Sequence, residues 1–204
     1  FRRSRGLGDV YKRQGMWKDT MSTMAIISVA TLICLILGAP IGILMARSQR
    51  LTNILSPVLD MMQTIPTFVY LIPIIMLLGI GKVPGLLAVC VYAIPPIVRL
   101  TNLGIREVDK RFVEAAKALG IKKRVILYKI EIPLALPSIM TGVNQTIMMA
   151  LAMVVIASMI GVSGLGVPIL RSISNQFLAL GLMNGVAIVA CLLYTSPSPR
   201  DLLK

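Results

Sequence analysis

The stretch REVDKRFVEAAKALGIKKRVILYKIEIP, Arg106 to Pro133, carries eight basic and four acidic residues, and the apolar runs on either side of it carry almost none. Asp109 is a good acceptor for the free amides of a helix that starts at Lys110. Phe112, Val113, Ala116 and Leu119 then fall on one face of that helix, while Glu107, Lys110, Glu114 and Lys117 lie largely on other faces. Gly120 follows the last apolar position, where a left-handed cap favours glycine. A second short helix is expected over about Lys122–Lys129, and Pro133 marks a new start or a break. Two helices this short are not stable alone in water. The segment therefore needs a surface to dock against, and the small side chains of Ala115 and Ala116 permit close approach; a helix lying on a membrane surface is the alternative.

The rest of the chain says what this island is embedded in. It is 56% hydrophobic and 14% charged, with a mean hydropathy of +0.85, against roughly 25% charged for ordinary soluble domains. Five apolar runs approach or exceed the ~20 residues that cross a bilayer as helix: Met21–Ala46, Met61–Ile80, Val83–Ile105, Pro137–Ile160 and Leu178–Ala190. The expected fold class is all-α, a polytopic membrane protein of about five spans, the last of them truncated. With alternate helices reversing direction, eleven of the Lys and Arg residues between Gly15 and Ala190 fall on one side. Only Lys18, Lys82 and Arg171 fall on the other. The positive-inside rule makes the first side cytoplasmic, and the island with it. This one-sided distribution, with no interleaving of aromatic and basic residues, argues against a nucleic-acid partner.

The ends read differently. SRGLGDVYKRQ (Ser4–Gln14) and CLLYTSPSPRD (Cys191–Asp201) can be back-translated as reverse complements of one another, apart from a one-base offset, in the manner of a transposon-derived sequencing adaptor. Residues 1–14 and 191–204 are accordingly read as non-native tails. Residues 15–190 are read as a transmembrane domain with a cytoplasmic loop at 106–133. The tails hold seven basic and two acidic residues, so the chain's net +13 falls to +8 over Gly15–Ala190.

Within the spans, Gly38, Pro40 and Gly42 are of kinds tolerated in membrane helices. Pro95-Pro96 is expected to break or kink its helix, and Arg99 to reach the inner interface by snorkelling. Ser48–Pro57 is expected to be a short cytoplasmic link, and GIGKVPG (Gly79–Gly85) a tight external turn. Gln63, Asn144 and Gln145 are polar residues well inside spans. They should face protein or a water-filled path; an interhelical hydrogen bond and a substrate contact are both open to them. Cys34 and Cys90 read as small apolar packing residues. The chain has no histidine and no paired-cysteine spacing, so no metal site is expected. No G-x-x-x-x-G-K-[ST] phosphate loop occurs, so any ATP must be bound by another chain.

Glu114-Ala115-Ala116, three residues, Gly120, nine residues and then Ile130-Glu131-Ile132-Pro133 resembles the EAA signature of ABC importer permeases, with Ile132 where leucine is usual. The blocks MQTIPTFVYLIPIIMLLGIGKVPG, YAIPPIVRLTNLGI and GVNQTIMMALAMVVIASMIGVSGLG are similar to the glycine betaine/proline betaine permeases, over roughly Asp60–Leu170. The resemblance implies a type I ABC importer permease fold in a bacterial cytoplasmic membrane. It also implies a loop that docks into an ATP-hydrolysing subunit through Glu114, Ala115, Ala116, Gly120, Ile130 and Pro133. The implied partners are an ABC ATPase that binds ATP and Mg, an extracytoplasmic substrate-binding protein, a second permease copy as homodimer, and the lipid bilayer; no cofactor is expected in this chain, nor is the chain expected to be an enzyme. Gln63, Thr64, Asn144 and Gln145 are the candidate translocation-pathway residues. Quaternary ammonium recognition uses aromatic faces, and Phe68, Tyr70 and Tyr92 are the few such side chains near the spans. A permease for another small solute such as an amino acid, and a non-transporting membrane scaffold, are the alternatives.

Overall fold

The computed structural model describes residues 3–158, 161–162, 164–176, 181–182, 184–186 and 188–189, with side chains described from residue 18 on. Every regular element among them is helical. They are α1 (Arg3–Arg47), α2 (Gln49–Thr64), α3 (Thr67–Leu78), α4 (Lys82–Arg106), α5 (Lys110–Ala118), α6 (Lys123–Ile126), a π-helical segment (Leu127–Glu131), α7 (Ile132–Ala157) and α8 (Gly166–Ser174).

Among the described residues, three stretches are long and apolar enough to cross a membrane: Lys18–Arg47, Lys82–Arg106 and Lys123–Ala157. The bent pair α2 and α3 makes a fourth if it acts as one span. The first and third expected spans match their helices closely. The second, Met61–Ile80, is divided: Pro66 stands before α3 with φ −56° and ψ 139°, outside helical geometry, and no proline amide is available to carry the helix across. Ser48–Pro57 is not a link but belongs mostly to α2. The Thr52 hydroxyl stitches this corner by donating to the carbonyls of Met45 at 2.7 Å and Ser48 at 3.2 Å. The fourth span starts earlier than expected, because the helix runs unbroken from Lys123 through Pro133. The fifth, Leu178–Ala190, lies partly outside the described residues.

The membrane reading is visible in the surface. Ile36 is 60% exposed and Leu77 84% exposed, and Leu37, Leu44, Ile72, Met76 and Met148 are exposed as well. Apolar side chains over the length of whole helices suit lipid, whereas a soluble chain would leave only limited apolar patches uncovered.

The chain forms two compact units. One gathers described residues up to 32, from 65 to 93 and from 147 onward. Its interior includes Ile27, Ala30, Val89, Met153, Val154 and Leu165. The backbone N–H of Leu165 donates to the buried hydroxyl of Thr23 at 2.9 Å, and the rings of Tyr70 and Tyr92 meet edge to face with centroids 6.3 Å apart.

The other unit, residues 33–64 and 94–146, is packed through glycine. A Cβ on Gly38 would lie 2.5 Å from Ile97 Cγ2; one on Gly42 would lie 2.7 Å from both the Val98 carbonyl oxygen and Thr101 Cβ. A Cβ on Gly104 would meet Ser138, and one on Gly142 would meet Leu100 and Ile97. The G-x-x-x-G spacing of Gly38 and Gly42 thus sets α1 directly on α4, the close approach that membrane helices exploit where apolar side chains alone give no preference for protein over lipid. Pro95 and Pro96 are buried, and α4 runs through both without a break. Arg99, expected to reach the inner interface, forms an exposed ion pair with Asp60 of α2.

Candidate functional site

The charged island folds as a helix, a tight reversal and a second helix. After α4 ends at Arg106, the Asp109 carboxylate accepts a hydrogen bond from the Arg111 N–H at 2.9 Å and caps α5. The far end closes on a pair of backbone bonds. Gly120 N–H donates to the Lys117 carbonyl at 2.9 Å, and Ile121 N–H to the Ala116 carbonyl at 3.1 Å. This is the Schellman pattern, and it requires a left-handed residue between the helices. Gly120 provides it with φ +72°.

The second helix does not stop at Pro133. In a regular α-helix the proline ring would collide with the carbonyl of Lys129 and leave it without a donor. The chain widens instead into the π-helical segment, where Ile132 N–H reaches back five residues to the Leu127 carbonyl. Pro133 then sits, exposed, as the second residue of α7, and Ile130 is half-buried.

The predicted apolar face of α5 is divided in two. Ala116 is buried and Val113 half-buried, so the inner side of the helix is covered. Phe112 is 56% and Leu119 79% exposed, and Ile121, Val125 and Tyr128 are exposed beyond them. Ala115, expected to share the close approach of Ala116, is exposed. Glu114 is also exposed, and among the described residues it has no ion-pair partner. The island therefore presents an uncovered apolar surface with an available carboxylate.

Both ends of the loop are held at the corner between α1 and α2. Arg106 Nη1 donates to Gln49 Oε1 at 3.0 Å, and its Nη2 to the Met45 carbonyl at 3.2 Å and to Thr52 Oγ1 at 2.8 Å. At the other end Arg47 Nη2 and Glu131 Oε2 are 2.8 Å apart, and the Glu131 side chain is only 12% exposed. A cavity of about 180 Å³ opens here, lined by Arg47, Val113, Lys117, Lys123, Ile126 and Glu131. Sequence reasoning missed these anchors. The only local signal was a pair of arginines at span ends and an acid inside I-E-I-P.

The four pathway candidates belong to the same unit as the loop but not to its cavity. Gln63 on α2 and Asn144 on α7 are half-buried, and Thr64 and Gln145 are exposed. The Thr64 hydroxyl donates to the Met61 carbonyl at 3.0 Å. Gln145 is a polar, exposed side chain in the middle of an apolar helix, which suits a protein or water neighbour better than lipid.

Comparison with known proteins agrees with this architecture. The chain is 51% identical over 175 residues to the glycine betaine/proline betaine transport system permease protein ProW of Escherichia coli (strain K12), covering 86% of this chain and 49% of that protein. It is 47% identical over 173 residues to the glycine betaine/carnitine transport permease protein GbuB of Listeria monocytogenes, covering 85% of this chain and 61% of that protein. The chain thus spans about half the length of the first relative. In fold it matches a chain of the MetNI methionine ABC transporter in an inward-facing conformation, with a TM-score of 0.79 at 19% identity over 89% of this chain and 91% of that one. Residues 38–197 match the family described as binding-protein-dependent transport system inner membrane component, and the chain belongs to that family.

Proposed function

We propose that the chain is the membrane-spanning permease of an ATP-driven importer for glycine betaine and proline betaine type osmoprotectants in a bacterial cytoplasmic membrane. The observation that carries this reading is the loop Arg106–Pro133. It is a capped helix and a glycine-set reversal with its apolar outer face uncovered and both ends fastened to the transmembrane unit. Such a loop is suited to receive a partner and pass its movement on. The substrate class follows that of the glycine betaine permeases that are 51% and 47% identical to this chain.

In this reading a separate ATPase subunit binds ATP and Mg and takes the loop into a cleft. Phe112, Leu119 and Ile121 supply apolar contact there, and Glu114 supplies a charged one. Ala115 and Ala116 keep α5 slim, Gly120 fixes the angle between its two arms, and Ile130 and Pro133 set the exit into α7. Closure of the ATPases moves the loops of two permease copies, and the pathway alternates between outward and inward access. An extracytoplasmic binding protein selects and delivers the solute. The permease itself offers only passing contacts, for which Gln63, Thr64, Asn144 and Gln145 are the candidates. Residues 15–190 are the working domain and the two tails are non-native.

The test is uptake in proteoliposomes holding the full-length permease, its ATPase and its binding protein. ATP-dependent accumulation of labelled glycine betaine, with none of proline or methionine, is expected. Accumulation of a control solute in its place would discard the substrate and retain the mechanism. Glu114→Lys and Gly120→Pro should each reduce uptake at least ten-fold without preventing insertion; wild-type uptake by both would overturn the coupling role.

A further inference from the structure

The loop is continuous in sequence with α4 and α7, so any displacement of it reaches those helices through the backbone. It has no such connection to α1 and α2. The polar ties across that gap are the Arg106 fork at the start of the loop and the Arg47–Glu131 ion pair near its end, 54 to 61 and 84 residues apart in sequence. The two differ in character. Arg106 donates to neutral acceptors, a side-chain amide, a hydroxyl and a backbone carbonyl, and any of these can be replaced by water. Glu131 is nearly enclosed, and its partner Arg47 is the last residue of α1. A carboxylate so placed is costly to leave unpaired, so it holds its partner through a movement that would separate fully solvated groups. The π-helical turn places Glu131 one residue before α7 begins, at the junction between the loop and its transmembrane helix. The cavity beside the pair leaves Lys117 and Lys123 along its wall, and both are exposed.

We propose that Arg47 and Glu131 are positioning residues that make the end of α1 travel with the coupling loop. This rests on the reading of the loop as the coupling element. Without the ion pair, motion of the loop would still drive α4 and α7, and Gly38 and Gly42 would keep the middle of α1 on α4, but the end of α1 at Arg47 would lag, and ATP hydrolysis would proceed with fewer solute molecules moved per turnover.

The experiment measures ATP hydrolysis and glycine betaine uptake in the same proteoliposomes, with the full-length permease, its ATPase and its binding protein. Arg47→Glu and Glu131→Arg are expected to lower uptake per ATP hydrolysed about ten-fold, with hydrolysis itself within two-fold of wild type. The combined exchange Arg47→Glu with Glu131→Arg is expected to recover the ratio to within about three-fold, a rescue that damage to general stability would not give. A wild-type ratio in the single variants overturns the proposal, and so does a folded, ATPase-binding double variant that fails to recover. If a reversal prevents insertion, Glu131→Gln takes its place, with a three- to five-fold loss expected and an unchanged ratio overturning the idea. Gly120→Pro is run alongside. If it too leaves uptake per ATP unchanged, the coupling reading itself has failed; if it uncouples while the Arg47 and Glu131 variants do not, only the ion-pair proposal has.

Discussion

Adding one methyl group at Gly42 tests the packing of the loop-bearing unit. The Cβ of Gly42→Ala would lie 2.7 Å from the Val98 carbonyl oxygen and 2.7 Å from Thr101 Cβ, about 0.7 Å short of the 3.4 Å at which ordinary contact begins. The carbonyl belongs to the backbone of α4, and Thr101 Cβ is fixed to it, so neither can turn away. Relief requires α1 and α4 to separate locally. Gly38→Ala is the internal control. Its nearest obstacle is the Ile97 γ2 methyl at 2.5 Å, and the next two atoms, on Val98 and Ile94, are also side-chain atoms at 3.3 and 3.4 Å. An isoleucine methyl has some rotameric freedom that a backbone carbonyl lacks. Overpacking of a close-packed interface costs about 1–3 kcal/mol, and the rigid obstacle puts Gly42→Ala near the upper end, about 2–3 kcal/mol, with Gly38→Ala at about 1–2 kcal/mol. The assay is reversible unfolding in mixed micelles by increasing mole fraction of denaturing detergent, read by circular dichroism. A Gly42→Ala protein within ~0.5 kcal/mol of wild type, the usual reach of a substitution with no packing consequence, would refute the argument. So would a Gly38→Ala protein less stable than Gly42→Ala.

Other predictions concern the loop. Gly120 has φ +72° and no atom within 4 Å of a built Cβ, so Gly120→Ala should cost about 1–2 kcal/mol through backbone conformation alone. Gly120→Asn should cost less, because asparagine visits that region more readily. Amide exchange over residues 110–121 should rank the three proteins in that order, and equal rates would refute it. Asp109→Ala removes the acceptor for the Arg111 N–H and should cost about 1 kcal/mol, seen as faster exchange confined to the first turn of α5. Pro133→Ala restores an amide donor and should let the widened turn relax to α geometry, rotating the preceding helix by about 100° for the residue absorbed. That would carry Glu131 away from Arg47. The coupling between Arg47 and Glu131, read from the stabilities of Arg47→Ala, Glu131→Ala and the two together, should vanish in the Pro133→Ala background, and an unchanged coupling would contradict the role assigned to the proline.

What was legible in the sequence is what depends on near neighbours. The Asp109 cap and the Gly120 reversal are each decided within five residues, and both took the form their chemistry dictates. The limits of α4 needed only the hydropathy change at Lys82 and Arg106. Where a local rule met a long-range one, the long-range one won. Proline at 133 should end a helix, yet the gain from continuing Lys123–Ala157 as one span is large, and a single widened turn removes the clash at small cost. Gly38 and Gly42 read as residues that a membrane helix tolerates; their purpose is set by Ile97, Val98 and Thr101, more than fifty residues away. Arg99 read as a side chain reaching for the interface; its partner Asp60 lies 39 residues earlier and is brought to it by the fold alone.

The same distinction explains why the loop was found and its fastening was not. A loop must carry its own caps and turn, so its outline is written in consecutive residues. The surface that holds it is assembled from the ends of other helices, and a lone arginine at the end of a span has several ordinary explanations, of which charge at a membrane boundary is the simplest. Only the fold brings Arg47 to Glu131 and Arg106 to Thr52. For a coupling device this division has a consequence. On the proposed coupling role, the docking face would be recognisable from a short signature because it would meet a separate chain, whereas the linkage that turned docking into movement would be specific to the packing of each permease. Relatives that share the signature therefore need not share the ion pair, and a second relative with neutral residues at both positions should couple through other contacts between the same two elements.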